Sequence, residues 1–564
     1  MKKTGAQILC ESLLEEGVDV IFGISGGTVI PMYDAFSEYP QIHRVLVRHE
    51  QAAAHAAAGY ARARQTVGVC VATSGPGATN LVTGITDAYL DSTPIVAITG
   101  QVARCFIGKD AFQETDITGI TLPVVKHSYL VRNAADIARV VKEAFHIAST
   151  GKPGPVLIDI PKDVQLEEAE YSYPDAVYLP GYKPNTEANP VQVAHVAELL
   201  NKAERPVIIA GRGVILSGAY EELKTLAETL QAPVVHTLMG LGSFPPSHYL
   251  NMGMFGMHGS VYANNAVQDA DLVLALGTRL GDRATMKADE FAPKAVLVHV
   301  DIDAAEINKN VVAFTSIVGD AKDILGHLNP LMRRVDRTEW VTKVDSWRSA
   351  HPIEEYTGST KLSARRVIRE IYQATDDHSI IVTGVGQHQM FAAQEYSVNR
   401  TNSFISSGGL GTMGFELPAA MGAQVACPDE EVWVIAGEGG FQMTMQELST
   451  VIQEGLPVKV AVINNGYLGM VRQWQDMFMK HNLVDVAIHS PNFVKIADAY
   501  GISAEKVDKA EEVGPAIARA KSHVGPYLIE FTVDPEENVY PMIAPGQSLS
   551  CIIDAPKPVL VGKA

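Results

Sequence analysis

Short apolar runs alternate with helical patterns along nearly the whole chain, and this alternation limits the fold more than any other feature. The runs include PIVAI, PVLIDI, PVIIAG, LVLALG, VLVHVDI, VWVIAG and VKVAVI. Continuous apolar strands separated by helices are typical of parallel sheets that are covered by helices on both faces. The sequence therefore predicts an α/β fold built from doubly wound parallel sheets.

Two segments interrupt this alternation and divide the chain. Residues 166–190 are rich in Pro, Tyr and Glu without a sustained period, and residues 334–362 are charged and end in HPIEEYTGSTK. A length of 564 residues is enough for three or four domains of about 150 residues each. We predict three parallel-sheet domains, over residues 1–170, 190–335 and 363–555.

The first and third predicted domains share one spacing. An apolar strand, a Gly-rich turn, a helix and a proline that opens the next strand run from Val69 to Pro94 and again, without a gap, from Val432 to Pro457. A repeat over hundreds of residues indicates two related domains rather than a solenoid. The turns differ, because TSGPG is neutral and GEGG contains Glu438. We therefore expect one fold with two different roles.

The composition disfavours several function classes. A formal charge of −19 without a Lys/Arg cluster argues against nucleic-acid binding, which needs a basic face. No apolar run reaches the roughly 18 residues of a membrane span. Acids interrupt the first apolar stretch, so we expect no signal or transit peptide and a cytoplasmic protein. The five cysteines lack the spacing of a disulfide framework or zinc site and are expected to be buried thiols.

Glu438 lies where an apolar run gives way to a helical pattern. Ligands of parallel sheets gather beyond the carboxyl ends of the strands, where glycine turns admit phosphate groups. A carboxylate repels phosphate unless a divalent cation lies between them, and Mg²⁺ binds both. The side-chain oxygen of Asn465, after the next apolar run, and a backbone carbonyl just beyond it complete a predicted ligand set. In the simpler alternative, Glu438 caps a helix, which is worth up to about 1 kcal/mol, and residues 464–466 form only a turn.

Glu50 leads directly into an Ala-rich helix in VRHEQAAAHAAAGYARA. Because small residues allow close packing, we expect Glu50 to be largely buried and its pKa to be raised toward neutrality. Such an acid is suited to exchanging a proton with a ring nitrogen. The alternative is an ordinary acid at a helix start.

These motifs together resemble a known superfamily. An acid in a Gly-x-Gly turn followed about 27 residues later by Asn-Asn is similar to the diphosphate-binding signature of thiamine diphosphate enzymes, although the usual acid is Asp. RHEQAAAHAAAGYAR resembles the segment that carries their activating glutamate. The resemblance implies that the third domain holds the diphosphate with Mg²⁺ and that the first holds the aminopyrimidine. It also implies a homodimer or homotetramer with the active site at the subunit interface.

From about residue 4 to 552 the chain resembles the catalytic subunits of acetohydroxyacid synthases. Matching stretches include DAFQETDITGIT, SGGLGTMGFELPAA, NNGYLGMVRQWQ and VYPMIAPGQSL. The resemblance implies decarboxylation of pyruvate and ligation of the two-carbon unit to a second 2-ketoacid, pyruvate or 2-ketobutyrate, in branched-chain amino acid biosynthesis. A regulatory small subunit is a further implied partner.

The resemblance assigns roles to individual residues. Glu50 and Gln113 are the implied catalytic residues, and Trp474 is the implied point of choice for the second ketoacid. Phe112, Lys162, Met257 and Trp474 line the implied substrate channel. Glu438, Asn465 and Tyr467 are the implied metal ligands. The cofactor contacts, besides Glu50, are Gly75, Val385, Gly386, Gln387, His388, Gly411, Met413, Gly437, Gly439, Gly440, Asn465 and Met470.

A non-redox FAD in the central domain is also implied. Its contacts would be Lys152, Gly211, Gly213, His258, Arg279, Asp301 and Asp320. Two segments depart from the family pattern. RLGDR, residues 279–283, replaces the family's Arg-Phe-Asp-Asp-Arg, and Lys152 replaces an arginine. The remaining alternatives are a catabolic acetolactate synthase without FAD, a pyruvate oxidase or 2-ketoacid decarboxylase, and a non-catalytic subunit with the same fold.

Overall fold

A computed structural model describes residues 2–352, 360–375, 379–398 and 400–554. Residues 353–359, which belong to the second interrupting segment, lie outside the described residues, as do residues 376–378, 399 and 555 of the predicted third domain.

The N-terminal region is a parallel sheet covered by helices. Its six strands have the order β3-β2-β4-β5-β7-β6 among the described residues. The strands of this region are β1 Lys2–Thr4, β2 Val20–Gly23, β3 His43–Leu46, β4 Gly68–Ala72, β5 Ile95–Gln101, β6 His127–Leu130, β7 Val156–Pro161 and β8 Glu168–Glu170. β1 and β8 pair with each other, antiparallel, outside the six-stranded sheet. The helices are α1 Gly5–Glu15, α2 Ile30–Phe36, α3 Glu50–Arg64, α4 Pro76–Asn80, α5 Val82–Leu90, α6 Ile117–Thr121, α7 Ile137–Ser149 and α8 Lys162–Leu166.

The central region contains a second parallel sheet, of order β11-β10-β9-β12-β13-β14 in the described chain. This order is that of dinucleotide-binding folds. Its strands are β9 Pro206–Ala210, β10 Val234–His236, β11 Asn251–Met254, β12 Leu272–Leu276, β13 Val296–Asp301 and β14 Thr315–Val318. Its helices are α9 Pro190–Lys202, α10 Arg212–Ser217, α11 Tyr220–Leu230, α12 Val261–Asp269, α13 Asp282–Thr285, α14 Ala321–Leu328 and α15 Thr338–Ala350.

The third sheet, of order β16-β15-β17-β18-β20-β19 within the described residues, is parallel from β15 to β19. The strands of this region are β15 Ile380–Thr383, β16 Phe404–Ser406, β17 Val432–Gly437, β18 Lys459–Asn464, β19 Ser503–Val507, β20 Tyr527–Thr532, β21 Met542–Ile543 and β22 Ile552–Ile553. Its helices are α16 Ala364–Ala374, α17 Gln387–Glu395, α18 Glu416–Ala426, α19 Glu438–Thr444, α20 Leu448–Gln453, α21 Gly469–Phe478, α22 Phe493–Ala499 and α23 Ala510–Ser522. The three parallel-sheet domains predicted from the apolar runs are confirmed.

The first and third sheets are built alike. Counted from β2 and from β15, both have the strand order 2-1-3-4-6-5. The repeat of Val69–Pro94 at Val432–Pro457 falls on β4 and β5 in one sheet and on β17 and β18 in the other. The relation between the two domains that the shared spacing predicts is therefore confirmed.

The described chain forms two compact units. One contains the described parts of residues 1–183, 374–389 and 405–533, and the other those of 184–373, 390–404 and 534–564. The first unit thus holds the first sheet and nearly all of the third, and the second unit holds the central sheet. In the first unit, α3 and α18 contribute to one apolar core.

Two sequence-based expectations are wrong. The segment 334–362 contains α15, which forms because Trp340 and Val344, one helical turn apart, are both buried. The cysteines are not all buried, since Cys105 and Cys551 are exposed while Cys10 and Cys70 are enclosed. Among the described residues, no helix has both the length and the apolar character needed to cross a bilayer.

Candidate active site

Glu438 lies at the carboxyl end of β17 and is the first residue of α19. Its side chain is only 2% exposed, and Oε1 accepts a hydrogen bond of 3.0 Å from the backbone N–H of Tyr467. Burial raises the pKa of this carboxyl to about 7, while backbone N–H groups of residues 465–467 oppose the rise. The acidic turn therefore places a buried carboxyl group beneath the loop that follows β18.

The other predicted metal ligands lie on that loop. β17 and β18 are neighbours, with Gly437 opposite Ile463, so the turns after the two strands meet. Oδ1 of Asn465 accepts the N–H of Tyr467 at 2.9 Å, the same N–H that is shared with Glu438. Nδ2 of Asn465 donates to Gln387 Oε1 at 3.2 Å. The structure thus brings Glu438, Asn465 and Tyr467 together.

The chemistry of this donor set fits a small divalent cation. A carboxylate, an amide oxygen and a backbone carbonyl are the oxygen ligands that Mg²⁺ selects. Within the part of the chain that the structure describes, no Lys or Arg side chain forms an ion pair with Glu438. A buried carboxylate without a cation is costly, because its desolvation is not offset by a partner charge. Within the same residues, no cluster of three or more His, Cys, Asp or Glu side chains offers another metal site.

The segment after β15 contacts both the Glu438 turn and the loop after β18. Gln387 donates from Nε2 to Gln473 Oε1 at 2.9 Å, and the Gly437 N–H donates to His388 Nε2 at 3.1 Å. Burial lowers the pKa of His388 to about 4, so the imidazole is neutral and Nε2 is free to accept this hydrogen bond. Val385 and Gly386 precede these residues and are partly exposed. The predicted contacts from 385 to 388 therefore adjoin Glu438.

Met413 lies against the acidic turn. A Cβ atom built on Gly439 would be 3.3 Å from Met413 Cε and 3.0 Å from Leu468 Cδ2. Gly411, two residues earlier, has a φ of +75°, which a residue with a side chain rarely adopts. Met470 lies in the first turn of α21. The Gly-rich loop predicted to support the cofactor is thus next to the predicted diphosphate turn.

Glu50 begins α3, as predicted, but its expected burial is wrong. The residue is partly exposed, and Oε2 accepts a hydrogen bond of 2.9 Å from Asn80 Nδ2. The alanine faces of α3 are buried, whereas Glu50 stands at the open end of the helix. Close packing of the helix therefore encloses its middle and not its first residue.

Gln113 lies beside the neutral Gly-rich turn. A Cβ atom on Gly75 would be 2.9 Å from the Gln113 carbonyl oxygen, and one on Gly77 would be 3.3 Å from Glu50 Oε1. Gln113 has a φ of +59°, a strained conformation that clusters at functional sites. Gly75, Glu50 and Gln113 are thus gathered at one turn of the first domain.

Six of the seven predicted FAD contacts lie in the second unit, and Lys152 lies in the first. Gly211 and Gly213 follow β9 and pack against Gly277 after β12, where a Cβ atom on Gly213 would be 2.5 Å from Gly277 Cα. Asp301 ends β13, and Asp320 caps α14 through the N–H groups of residues 322 and 323. These residues lie at carboxyl ends of neighbouring strands, where dinucleotides bind in such sheets.

His258 and Arg279 complete the set in the second unit. His258 is buried and its Nδ1 is 3.3 Å from the Pro541 carbonyl, while burial lowers its pKa to about 4. Arg279 is partly exposed, and its carbonyl accepts a hydrogen bond from Asn310.

The predicted channel residues differ in exposure. Phe112 is 88% exposed, and Lys162 is the partly exposed first residue of α8. Trp474 lies in α21 with its ring at right angles to Phe478, centroids 6.0 Å apart. Met257 is buried in the second unit.

Three family models match the chain in succession. They are those of the thiamine pyrophosphate enzyme N-terminal TPP binding domain over residues 3–120, central domain over 193–328 and C-terminal TPP binding domain over 384–531. The central match contains all six strands of the central sheet, and the other two contain most strands of the first and third sheets.

Curated relatives match almost the whole chain. An acetolactate synthase of Mycobacterium bovis is 50% identical over 558 residues, which are 97% of this chain and 90% of the relative. This chain belongs to the acetolactate synthase family. The acetolactate synthase large subunit of Corynebacterium glutamicum is 47% identical over 98% of this chain and 90% of its own length. That of Porphyra purpurea is 45% identical over 99% and 96%.

Family membership confirms the thiamine diphosphate enzyme class that the acidic turn and the Ala-rich helix predict. Thiamine diphosphate is the cofactor. The matched N-terminal binding domain contains Glu50, and the matched C-terminal binding domain contains the turn with Glu438. In this acetolactate synthase family member, the acid of the turn is Glu438.

One residue of the site was missed. Glu416, the first residue of α18, is fully buried beside Gly384, Gly414 and Gly440. The only sequence signal is an acid within the apolar and Gly-rich stretch GTMGFELPAA, because no spacing rule connects it to Glu438.

Proposed function

We propose that the chain is the catalytic subunit of an acetohydroxyacid synthase, which decarboxylates pyruvate and joins the two-carbon unit to pyruvate or 2-ketobutyrate in branched-chain amino acid biosynthesis. The observation that carries the proposal is the oxygen-donor set of Glu438, Asn465 and Tyr467 at neighbouring strand ends, in a chain with acetolactate synthase relatives along its length. When bound, thiamine diphosphate supplies the nucleophilic carbon and the electron sink.

Mg²⁺ is the proposed metal of the diphosphate turn. The Glu438 carboxylate, the Asn465 side-chain oxygen and the Tyr467 carbonyl hold it, and the buried position of Glu438 keeps competing water out. The longer acid is compatible with this role because Gly439 and Gly440 place no side chain beside it. Segments that adjoin this turn also surround the cofactor, through Val385, Gly386, Gln387, His388, Gly411, Met413, Gly437 and Met470.

Glu50 is the proposed proton-exchanging group at the aminopyrimidine, with Gln113 beside it at Gly75. The Asn80 amide orients the Glu50 carboxyl through Oε2 and leaves Oε1 for the ring nitrogen. Lys162 attracts the carboxylates of ketoacids, Phe112 and Met257 line their path, and Trp474 shapes the pocket for the second one.

The active site is proposed to form between two chains. Gly59 of α3 lies against Ala419, and Gly422 lies against Ala56, so the contact order reverses and α3 and α18 run antiparallel. Glu50 precedes Gly59 by nine residues, about 13 Å of helix at 1.5 Å per residue. The Glu438 turn and Met413 adjoin the N-terminus of α18, which faces the C-terminal half of α3. One cofactor therefore takes Glu50 from one chain and Glu438 from its partner in a homodimer or homotetramer.

FAD, a regulatory partner and the cytoplasm complete the proposal. FAD occupies the strand ends at Gly211, Gly213, Asp301 and Asp320, with His258, Arg279 and Lys152 as further contacts. The relatives' name of large subunit implies a smaller regulatory partner. The proposed domain limits are 1–170, 190–335 and 363–555. The relatives do not favour the catabolic or the non-catalytic alternative.

An assay for acetolactate tests the proposal. Purified protein is supplied with pyruvate and thiamine diphosphate, with and without Mg²⁺ and FAD, beside the variants Glu438→Gln and Glu438→Asp. We expect activity that requires Mg²⁺, is lost at least 100-fold in Glu438→Gln, and is kept in Glu438→Asp. Full activity after metal chelation would refute the metal site. Activity only in Glu438→Asp would show that the native acid disables the enzyme and would overturn the proposal.

A further inference from the structure

Glu416 is a buried acid with an unused oxygen. The side chain is 0% exposed, and the Gly414 N–H donates to Oε2 at 3.1 Å. Oε1 is buried and has no hydrogen-bond partner among the residues that the structure describes. In the same part of the chain, no Lys or Arg pairs with this carboxyl. Buried polar atoms are nearly always hydrogen-bonded, so an unpartnered oxygen points to a ligand.

The carboxyl occupies space that glycines leave open. A Cβ atom on Gly440 would lie 2.5 Å from Glu416 Oε1, and one on Gly384 would lie 2.7 Å from Glu416 Cδ. These glycines follow the paired strands β17 and β15, at the sheet edge where the diphosphate turn stands. Glu416 of α18 therefore places a polar group beside Gly440, where the turn has no side chain of its own.

The surroundings favour the neutral form of the acid. Burial raises the pKa of Glu416 to about 7, and backbone hydrogen bonds only partly offset this effect. His388 is a titratable neighbour, since its Nε2 is 2.8 Å from the same Cβ position on Gly384. Burial keeps His388 neutral, so it provides no positive charge. A neutral carboxylic acid has an O–H that donates a hydrogen bond.

We propose that Glu416 is a positioning residue of the diphosphate site. Oε2 holds the Gly414 backbone, and Oε1 carries the proton and donates it as a hydrogen bond to a diphosphate oxygen beside Gly440. Diphosphate oxygens only accept hydrogen bonds, so a neutral acid suits them where a carboxylate would repel them. This inference rests on the proposed function, because it assumes that the turn binds thiamine diphosphate.

The test measures thiamine diphosphate affinity at saturating Mg²⁺ with the full chain, by quenching of intrinsic tryptophan fluorescence. Glu416→Gln keeps a donor and the shape, whereas Glu416→Met keeps the volume without a donor. We expect the Kd of Glu416→Gln to stay within about threefold of the parent, and that of Glu416→Met to rise at least about tenfold, the worth of one hydrogen bond to a charged group. Equal binding by Glu416→Met, or equal loss in both variants, would overturn the inference.

A second set of variants tests the shared space. Gly440→Ser forces a side chain against Oε1, and Glu416→Gly removes the acid. We expect each change alone to weaken binding at least tenfold, and the double variant to bind no more weakly than Glu416→Gly, because the serine side chain then meets no carboxyl group. A tolerated Gly440→Ser with Glu416 in place would contradict the geometry. Failure of the parent to bind thiamine diphosphate would refute the proposed function, whereas tight binding by the parent and by all variants would refute only the role of Glu416.

Discussion

A Cβ atom on Gly59 would lie 2.0 Å from the carbonyl oxygen of Ala419. The relation is reciprocal, since a Cβ atom on Gly422 would lie 1.9 Å from the carbonyl oxygen of Ala56. The two contacts join corresponding positions of the two related domains. Gly422 corresponds to Gly59 and Ala419 to Ala56, each at an offset of 363 residues, the same offset that separates Val432 from Val69 in the sequence repeat. The two related domains are therefore joined backbone to backbone about a pseudo-twofold axis.

Gly59→Ala is expected to destabilise the first unit. The new methyl group has no room beside the Ala419 backbone, and overpacking of this kind costs about 1–3 kcal/mol. The midpoint of thermal unfolding should fall. Gly326→Ala in α14 is the matched control, because nothing lies within 4 Å of its Cβ position. A helix gains up to about 1 kcal/mol from that change. A stabilised Gly59→Ala variant would contradict the close packing.

Mixing two inactive variants tests the site between chains. Glu50→Gln lacks the activating acid and Glu438→Gln lacks the metal ligand, so each homodimer is inactive. A mixed dimer has one site with both changes and one with neither. After co-refolding of equal amounts, we expect about a quarter of the parent activity, since half of the dimers are mixed and each has one intact site. If both residues served the same site from one chain, the mixture would stay inactive.

Asp159 is expected to make stability depend on pH. It is buried in β7, accepts hydrogen bonds from Thr99 and Gln101, and burial raises its pKa to about 7. The unfolded value is about 3.9. Between these values the folded state keeps a proton that the unfolded state has lost, so stability falls as pH rises through this range.

Asp159→Asn removes this titration. The free energy of unfolding of the variant minus that of the parent should be about 2–3 kcal/mol larger at pH 8 than at pH 5, because only the parent loses stability over this range. Urea titrations at both pH values measure the difference. An identical pH dependence in parent and variant would show that Asp159 stays ionised in the fold.

Trp474→Leu is expected to reduce the preference for 2-ketobutyrate as the second substrate. A smaller side chain loses contact with the additional methylene, which is worth about 1–3 kcal/mol in an apolar pocket. The ratio of acetohydroxybutyrate to acetolactate formed from mixed substrates should fall about tenfold. Trp347→Leu, a partly exposed tryptophan of the second unit, should leave the ratio unchanged. Equal ratios in both variants would exclude Trp474 from the specificity pocket.

The local motifs of the site were predictable because their residues follow strand ends. Glu438 and Asn465 each follow a buried apolar run, and parallel neighbours bring such ends together. The partial exposure of Glu50 was not predictable, since the pattern of α3 shows which faces pack and not where the helix end opens. The helix at 338–350 was not predictable from apolar periodicity, because only two of its residues, Trp340 and Val344, are buried and charged residues are frequent among the others.

The sequence by itself determined the class of the fold, the repeat of one domain and the chemical type of the acidic turn. These properties depend on residue order within one strand, turn and helix. Only the tertiary structure decided that Gly59 and Ala419 touch and that Glu416 stands beside Gly384 and Gly440. Such contacts join residues from separate elements, and their burial and free hydrogen-bonding capacity depend on how those elements pack, which no local pattern records.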